Sequence, residues 1–323
     1  MEMKETGGYF EFDIKENDNY PYADGFHYKS ARSAFYSFLK NENVKKIYIP
    51  SYICDSMLKP LEKLNIDIKL YSLDENFNPI IPDYNNEHIL YVNYFGICDA
   101  VVEQVVLKYS AERVIIDNSQ AFFSKPMLQC AAIIYSPRKF LPVPEGGTIV
   151  TSKKLIYSGQ SKTSINALSA LVKRFEENAQ SGYEYFRKAS EELNKVSCDK
   201  ISKLSFYLLN NMDYSSYLAI RENNLKYLNS SLKSINILNV SENSKPLCYP
   251  LMLKFNVSEL KKKLIENKIY VATYWDDAIS RIRSNSFESK LIFDTLYIPL
   301  DQRYNLDDLD KIVKIIKGFY DEK

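Results

Sequence analysis

The sequence predicts an α/β fold: a large domain built on a mostly parallel sheet, then a small C-terminal α+β domain. Three observations predict it. Short strands that are apolar on both faces recur between residues 46 and 151. Amphipathic helical stretches separate them. Beyond about residue 153 the pattern turns helical, and the last 75 or so residues read strand–helix–strand–strand–helix. A strand with no polar face is covered on both sides, and crossover helices are what cover it.

The elements follow in order. Residues 31–39 (ARSAFYSFL) have helical spacing, and 46–50 (KIYIP) form a short apolar strand. Residues 53–64 carry apolar side chains at 53, 57, 58, 61 and 64, which predicts one helix. A strand is expected over 66–71, another over 88–94 (HILYVNY), and a helix over 100–109. The runs 114–117 and 131–135 are strands without a polar face, and 148–151 is a strand entered through a double glycine. Residues 163–235 interleave charged and apolar positions at a spacing of three to four and read as almost wholly helical. The tail gives a strand at 250–255, a helix at 257–267, strands at 269–273 and 295–299, and a helix at 305–320. The domains divide into 1–210, with 155–210 as its helical section, and 211–323.

Composition removes several function classes. Lys plus Arg is 42 and Asp plus Glu is 41, so the basic footprint of a nucleic-acid or membrane-surface binder is missing. Only His27 and His88 are histidines, too few for a His-rich zinc site. The five cysteines form no CxxC pair, and no apolar run approaches ~18 residues; these features give the expectation of reduced thiols in a cytoplasmic protein. Glycine is scarce: 9 in 323 residues. No three of them fall in GxGxxG and none precedes Lys-Ser or Lys-Thr, so glycine-cradled nucleotide sites are excluded. One of the two adjacent pairs, Gly146-Gly147, stands seven residues after Lys139 and reads as a backbone requirement there.

Two strand ends carry chemistry. In RVIIDNSQAFFS a buried strand runs into Asp117, with Gln120 three residues on. Two readings of Asp117 stand at this point: the N-cap of a following helix, or a buried carboxylate awaiting a positive partner. In CAAIIYSPRKFLPVPEGGTIVTS a strand ends at Tyr135 and gives way to Ser136-Pro137-Arg138-Lys139 in a proline-stiffened apolar loop. Lys139 is either an exposed loop lysine or a desolvated one, and desolvated lysines become nucleophiles.

The constellation of Asp117, Gln120, Lys139 and Gly146-Gly147 resembles the DegT/DnrJ/StrS-type sugar aminotransferases, which are fold-type-I pyridoxal phosphate enzymes. SARSAFYSFL (30–39), IYIPSYICDSMLKPL (47–61), IIDNSQAFFS (115–124), SPRKFLPVPEGG (136–147), AIRENNLKYLNSSL (219–232) and YIPLDQRYNLDDLDKI (297–312) carry the resemblance. It implies an aspartate-aminotransferase-like fold and pyridoxal 5'-phosphate as cofactor. It assigns Lys139 to the Schiff base with the cofactor and to the proton transfer, Asp117 to the pyridine nitrogen, and Gln120 to the ring or its 3-oxygen. Tyr52 is expected to stack on the ring. The phosphate is expected at the start of the first helix, on Ala31 and Arg32, with a hydroxyl from Ser136. Glutamate as amino donor, a keto sugar as acceptor, surface-polysaccharide or related biosynthesis and a homodimer are implied in the same way. Dehydratase relatives carry histidine at the lysine position, so Lys139 points to the transaminase branch. The chain departs from the family in three places: the phosphate turn has no glycine, the chain is short, and no Gly-x-Asn segment follows Gly147.

Overall fold

The computed structural model describes residues 6–15, 17–125 and 129–323. The strands are β1 (Phe26–Tyr28), β2 (Lys46–Pro50), β3 (Asp67–Leu73), β4 (Pro79–Ile80), β5 (His88–Val92), β6 (Val114–Asn118), β7 (Ala132–Tyr135), β8 (Gly147–Val150), β9 (Gly159–Gln160), β10 (Asp199–Lys200), β11 (Cys248–Met252) and β12 (Thr295–Pro299). The helices are α1 (Ala31–Asn41), α2 (Lys59–Lys63), α3 (Asp99–Lys108), α4 (Ile165–Glu176), α5 (Ala179–Glu192), α6 (Lys203–Asn210), α7 (Tyr214–Leu232), α8 (Ser258–Glu266), α9 (Phe287–Phe293) and α10 (Leu306–Asp321). None of the described helices is long and apolar enough to cross a membrane.

Ten strands form one sheet in the order β4-β3-β2-β5-β6-β7-β8-β1-β10-β9. Its centre is parallel, as the apolar runs predict: β3, β2, β5, β6 and β7 all point one way. The residues of β5, β6 and β7 are buried without exception, which is why these strands show no alternation. The order reverses beside β7. Strand β8 runs antiparallel to it, and β1, a strand the periodicity does not announce, runs antiparallel to β8.

Three further expectations are corrected. Residues 53–64 are not one helix but a short 3₁₀ turn (Asp55–Met57) and then α2, because Pro60 lacks an N–H and sits in the first turn of a helix that starts afresh. The run 163–235 is not wholly helical. It breaks at β10, which pairs with β1 and extends the main sheet. Residues 269–273 form no strand; only Ala272 bridges to Tyr297 before the backbone turns through Trp275 at φ 56. The remaining tail elements match: β11 and β12 pair antiparallel, and α10 carries a capping box between Asn305 and Asp308.

The apolar core falls into two clusters. One fills the space around the main sheet, and the second runs from Leu225 on α7 to Ile316 on α10 around β11 and β12. Helix α7 presents Leu225, Leu228 and Leu232 to that second cluster at helical spacing.

Glu145 ties the helical section to the sheet. Its carboxylate is fully buried and accepts from the backbone N–H of Ser164 (3.4 Å) and of Ser202 (3.2 Å). These residues are the N-caps of α4 and α6, so two helix N-termini face one negative charge. In Glu145→Ala two buried donors lose their acceptor, at about 1–3 kcal/mol each. The expected result is a lower urea midpoint for Glu145→Ala and a smaller loss for Glu145→Gln. An unchanged midpoint in Glu145→Ala would show that the two helix starts do not depend on it.

Candidate active site

Ligands of such sheets bind beyond the carboxyl ends of the strands. The two strand ends singled out in the sequence meet at that edge. Asp117 is the penultimate residue of β6, in register with Val92 on β5 and Ile134 on β7. Only 3% of it is exposed, and its Oδ1 accepts from the Ser119 N–H at 2.8 Å. The residues after Asn118 form a turn, not a helix, so Asp117 is not a helix N-cap.

One strand over, β7 ends at Tyr135. Ser136 follows, buried, and Pro137–Lys139 make a 3₁₀ turn closed by the Lys139 N–H on the Ser136 carbonyl (3.1 Å). The Lys139 side chain is exposed along part of its length, and the protein packed around it lowers its pKa by desolvation. Asp117 opposes the shift, and Arg138 and Arg32 add to it. A lowered pKa means that the neutral, nucleophilic amine persists at lower pH than for a lysine in water. Coupling of Lys139 to an aldehyde, trapped with borohydride and read by mass, is therefore expected to titrate below the ordinary 10.5. A midpoint at the ordinary value would place the amine in bulk solvent.

Gln120 is fully buried. Its Oε1 accepts from the Phe95 N–H at 3.0 Å, while Nε2 meets no acceptor among the described residues. That bond helps to hold Phe95 at φ 56, a conformation unusual for an aromatic residue. The adjoining Gly96 is required: at φ +79, a Cβ there would come within 2.8 Å of the Gln120 carbonyl oxygen. A buried amide with a free donor points to an acceptor supplied from outside the chain.

Helix α1 begins at the same edge. Ser30 caps it by accepting from the Ser33 N–H (3.2 Å), and its first turn holds no acidic residue. The first N–H groups of a helix have no partner within it; at α1 the Ser30–Gly146 bridge takes the Ala31 N–H, which leaves that of Arg32. The Arg32 side chain donates to Asn194.

The structure thus brings Asp117, Lys139, Arg32 and, through its turn, Ser136 together. Tyr52, expected on the ring, is packed among other aromatic side chains. The Tyr52 ring is fully buried, stacks on Tyr94 at 5.8 Å and packs against Trp275 at 5.0 Å. Its hydroxyl donates to the Tyr274 carbonyl at 2.8 Å. Neighbouring rings already cover it, and it fastens the large domain to the tail. Cys54, two residues on, lies close enough to act on both Lys139 and Arg32.

Sequence reasoning also misses Arg221. It is buried, donates to the carbonyls of Pro246 (2.8 Å) and Leu247 (2.9 Å) and to Gln302 Oε1 (3.1 Å), and covers the Phe140 ring at 4.8 Å. Gln302 in turn donates to the Phe140 carbonyl at 2.8 Å. The residue after Lys139 is therefore gripped from the small domain. A signal was present: position 221 continues the 225, 228, 232 stripe of α7, so an arginine there falls on the buried face.

A groove of about 1450 Å³ lies between α4, α5 and α10. Arg174, Tyr183, Tyr270, Arg303 and Tyr304 line it, and Arg303 is the neighbour of the Gln302 that touches Phe140.

No protein-family model matches the chain. No curated protein matches its sequence. Solved structures do: 620 chains share its fold. The sugar aminotransferase CalS13 from Micromonospora echinospora superposes with a TM-score of 0.62 at 13% identity, covering 91% of this chain and 87% of its own. A DegT DnrJ EryC1 StrS aminotransferase from Brucella abortus gives 0.62 at 13%, covering 91% and 85%. The E. coli GDP-4-keto-6-deoxy-D-mannose-3-dehydratase with bound hydrated PLP gives 0.63 at 15%, covering 90% and 87%. The fold expected from the sequence is the fold of these enzymes.

Proposed function

We propose that this chain is a pyridoxal phosphate-dependent aminotransferase that moves an amino group from glutamate to a keto sugar carried on a nucleotide. The observation that carries the reading is the pairing at one sheet edge of a buried carboxylate, Asp117 on β6, with a desolvated lysine, Lys139 on the turn that follows β7. The neighbouring structures bear names of sugar aminotransferases and of a PLP-holding sugar dehydratase, which supports the class.

The residues fit the cofactor. Burial of Asp117 is costly without a positive group in contact, and a protonated ring nitrogen is such a group. The unpartnered Gln120 Nε2 needs an acceptor, and a ring oxygen is one. When bound, pyridoxal phosphate supplies an aldehyde that joins an amine and a protonated ring that accepts electrons from the substrate carbon. Asp117 keeps the positive charge at that ring edge. Gln120 would donate from Nε2, and Ser136 and the start of α1, at Ala31 and Arg32, would offer donors to the phosphate. Lys139 Nζ would hold the cofactor covalently, and the same amine, when free, is the base that would move a proton at the substrate carbon.

The groove supports the acceptor class: Arg174, Lys268, Lys311 and Lys314 outnumber Glu184 and Asp308 in its lining, Arg303 being paired with Asp301, and cations with tyrosine rings suit a phosphorylated, base-bearing sugar. Such an acceptor fits the building of surface polysaccharide. Helices α4 and α5 expose Ile165, Val172, Phe175, Tyr183 and Phe186, an apolar face that supports a homodimer.

The test is a single half-reaction. Protein loaded with pyridoxal phosphate and given glutamate without an acceptor is expected to release one 2-oxoglutarate per chain and then stop. Loaded protein that releases none with glutamate or any other common amino donor would overturn the transaminase reading.

A further inference from the structure

Two arginines stand beside Lys139 without an acid to match them. Arg138 immediately precedes the lysine on its 3₁₀ turn, and Arg32 lies in the first turn of α1. The glycine pair is what lets these two segments abut. Gly146 bridges to Ser30 and donates its N–H to the Lys29 carbonyl at 3.0 Å, and the position of its missing Cβ lies 3.1 Å from Pro137 Cγ. The missing Cβ of Gly147 falls 2.1 Å from the Ala31 nitrogen. The start of α1 and the turn 137–139 are thus the two sides of one thin layer.

Neither arginine is neutralised. Arg32 donates to Asn194, an uncharged amide. Arg138 rests on the Phe186 ring at 5.9 Å and has no hydrogen bond or ion pair among the described residues. Burial pushes the Arg138 guanidinium down to about 10, and Arg32 pushes it the same way. Arg32 and Arg138 are two cations, and Asp117, the one carboxylate that acts on Lys139, is taken up by the ring nitrogen in the cofactor reading. A phosphate monoester carries about −1.5 to −2 charges at pH 7, which balances that excess. The guanidinium fork also matches phosphate oxygens in a way an ammonium does not.

We propose that Arg138 and Arg32 clamp the phosphate of bound pyridoxal phosphate, supplying by side-chain charge what a glycine-lined turn supplies through backbone N–H groups. The proposal rests on the cofactor reading above. It assigns Arg138, a residue that the sequence motif passes over, a direct contact with the cofactor.

Pyridoxal offers the test, since it has the same aldehyde and no phosphate. Apo-protein is titrated with pyridoxal phosphate and with pyridoxal, and coupling to Lys139 is read as borohydride-trapped mass. The wild-type protein is expected to prefer the phosphorylated form strongly. In Arg138→Met and in Arg32→Met that preference falls by about tenfold or more, the scale of a lost charge-assisted hydrogen bond, while pyridoxal still couples, so that any change in the Lys139 amine itself cancels in the ratio of the two aldehydes. Arg138→Lys keeps the charge and a long stem but loses the fork, and its preference falls part of the way. An unchanged preference in Arg138→Met and Arg138→Lys, with pyridoxal coupling intact, overturns the clamp and leaves the cofactor reading standing. A wild-type protein that couples neither aldehyde overturns the cofactor reading, and the clamp with it.

Discussion

Lys139→Ala is expected to lose both covalent attachment of pyridoxal phosphate and release of 2-oxoglutarate from glutamate. Proton transfer by a positioned side chain contributes about 10²–10⁴ to a rate. Here the same amine also carries the cofactor, and groups that act as a unit are lost as a unit, so the combined effect exceeds the proton-transfer factor alone. The trapped mass increase is expected to vanish, and turnover with it. Lys139→Arg is the informative companion. It keeps a cation near Asp117, so the electrostatic balance of the cavity survives, but a guanidinium neither couples to an aldehyde nor gives up its proton. If Lys139→Arg and Lys139→Ala are equally inactive and uncoupled, chemistry at the amine is what was lost. If either still releases 2-oxoglutarate at the wild-type rate, Lys139 is not the reacting residue.

The two strand ends were legible because they break a strong pattern. Val114–Asn118 and Ala132–Tyr135 are apolar runs, and a charged residue that terminates such a run has few places to go. Position along the chain was enough to pair Asp117 with Lys139, since consecutive parallel strands end on the same edge. What stayed hidden lies where periodicity carries no direction. After β2 the backbone leaves the sheet in an irregular stretch, so nothing in SYIC tells whether Tyr52 or Cys54 turns toward the lysine. The antiparallel run of β8 and β1 was also hidden, because a strand's direction is set by the loops that deliver it and not by its own residues. Glu145 and Arg138 were read as parts of a motif. Their separate tasks appear only when the partners, the N-caps of α4 and α6 in one case and Phe186 with Arg32 in the other, are brought in from distant segments.

Gly147→Ala is expected to cost more stability than alanine at any other glycine of this chain. A Cβ at position 147 would lie 2.0 Å from the Ser30 carbonyl carbon, 2.1 Å from the Ala31 nitrogen and 2.3 Å from the Ser30 oxygen. All three are backbone atoms, so no side-chain rotation relieves the clash. Inserting one methylene into a packed core costs about 1–3 kcal/mol when side chains can shift. Here a strand and a helix start must separate instead, so the cost is expected at or above the top of that range. Gly146→Ala meets a different obstacle. Its neighbours are side-chain atoms, Pro137 Cγ at 3.1 Å and Ile201 Cδ1 at 3.2 Å, but its φ of +146 is one that an alanine rarely adopts. The two variants therefore separate a steric requirement from a conformational one. In urea unfolding Gly147→Ala is expected to lower the midpoint markedly or to abolish a folded baseline, with Gly146→Ala intermediate. Prising β8 from α1 also moves Ala31 and Arg32 relative to Pro137–Lys139. Any Gly147→Ala that does fold should therefore show a weakened preference for pyridoxal phosphate over pyridoxal. A Gly147→Ala protein with the wild-type midpoint and the wild-type preference would mean that β8 and the start of α1 do not touch, and the shared layer that sets the two arginines beside the lysine would fall with that contact.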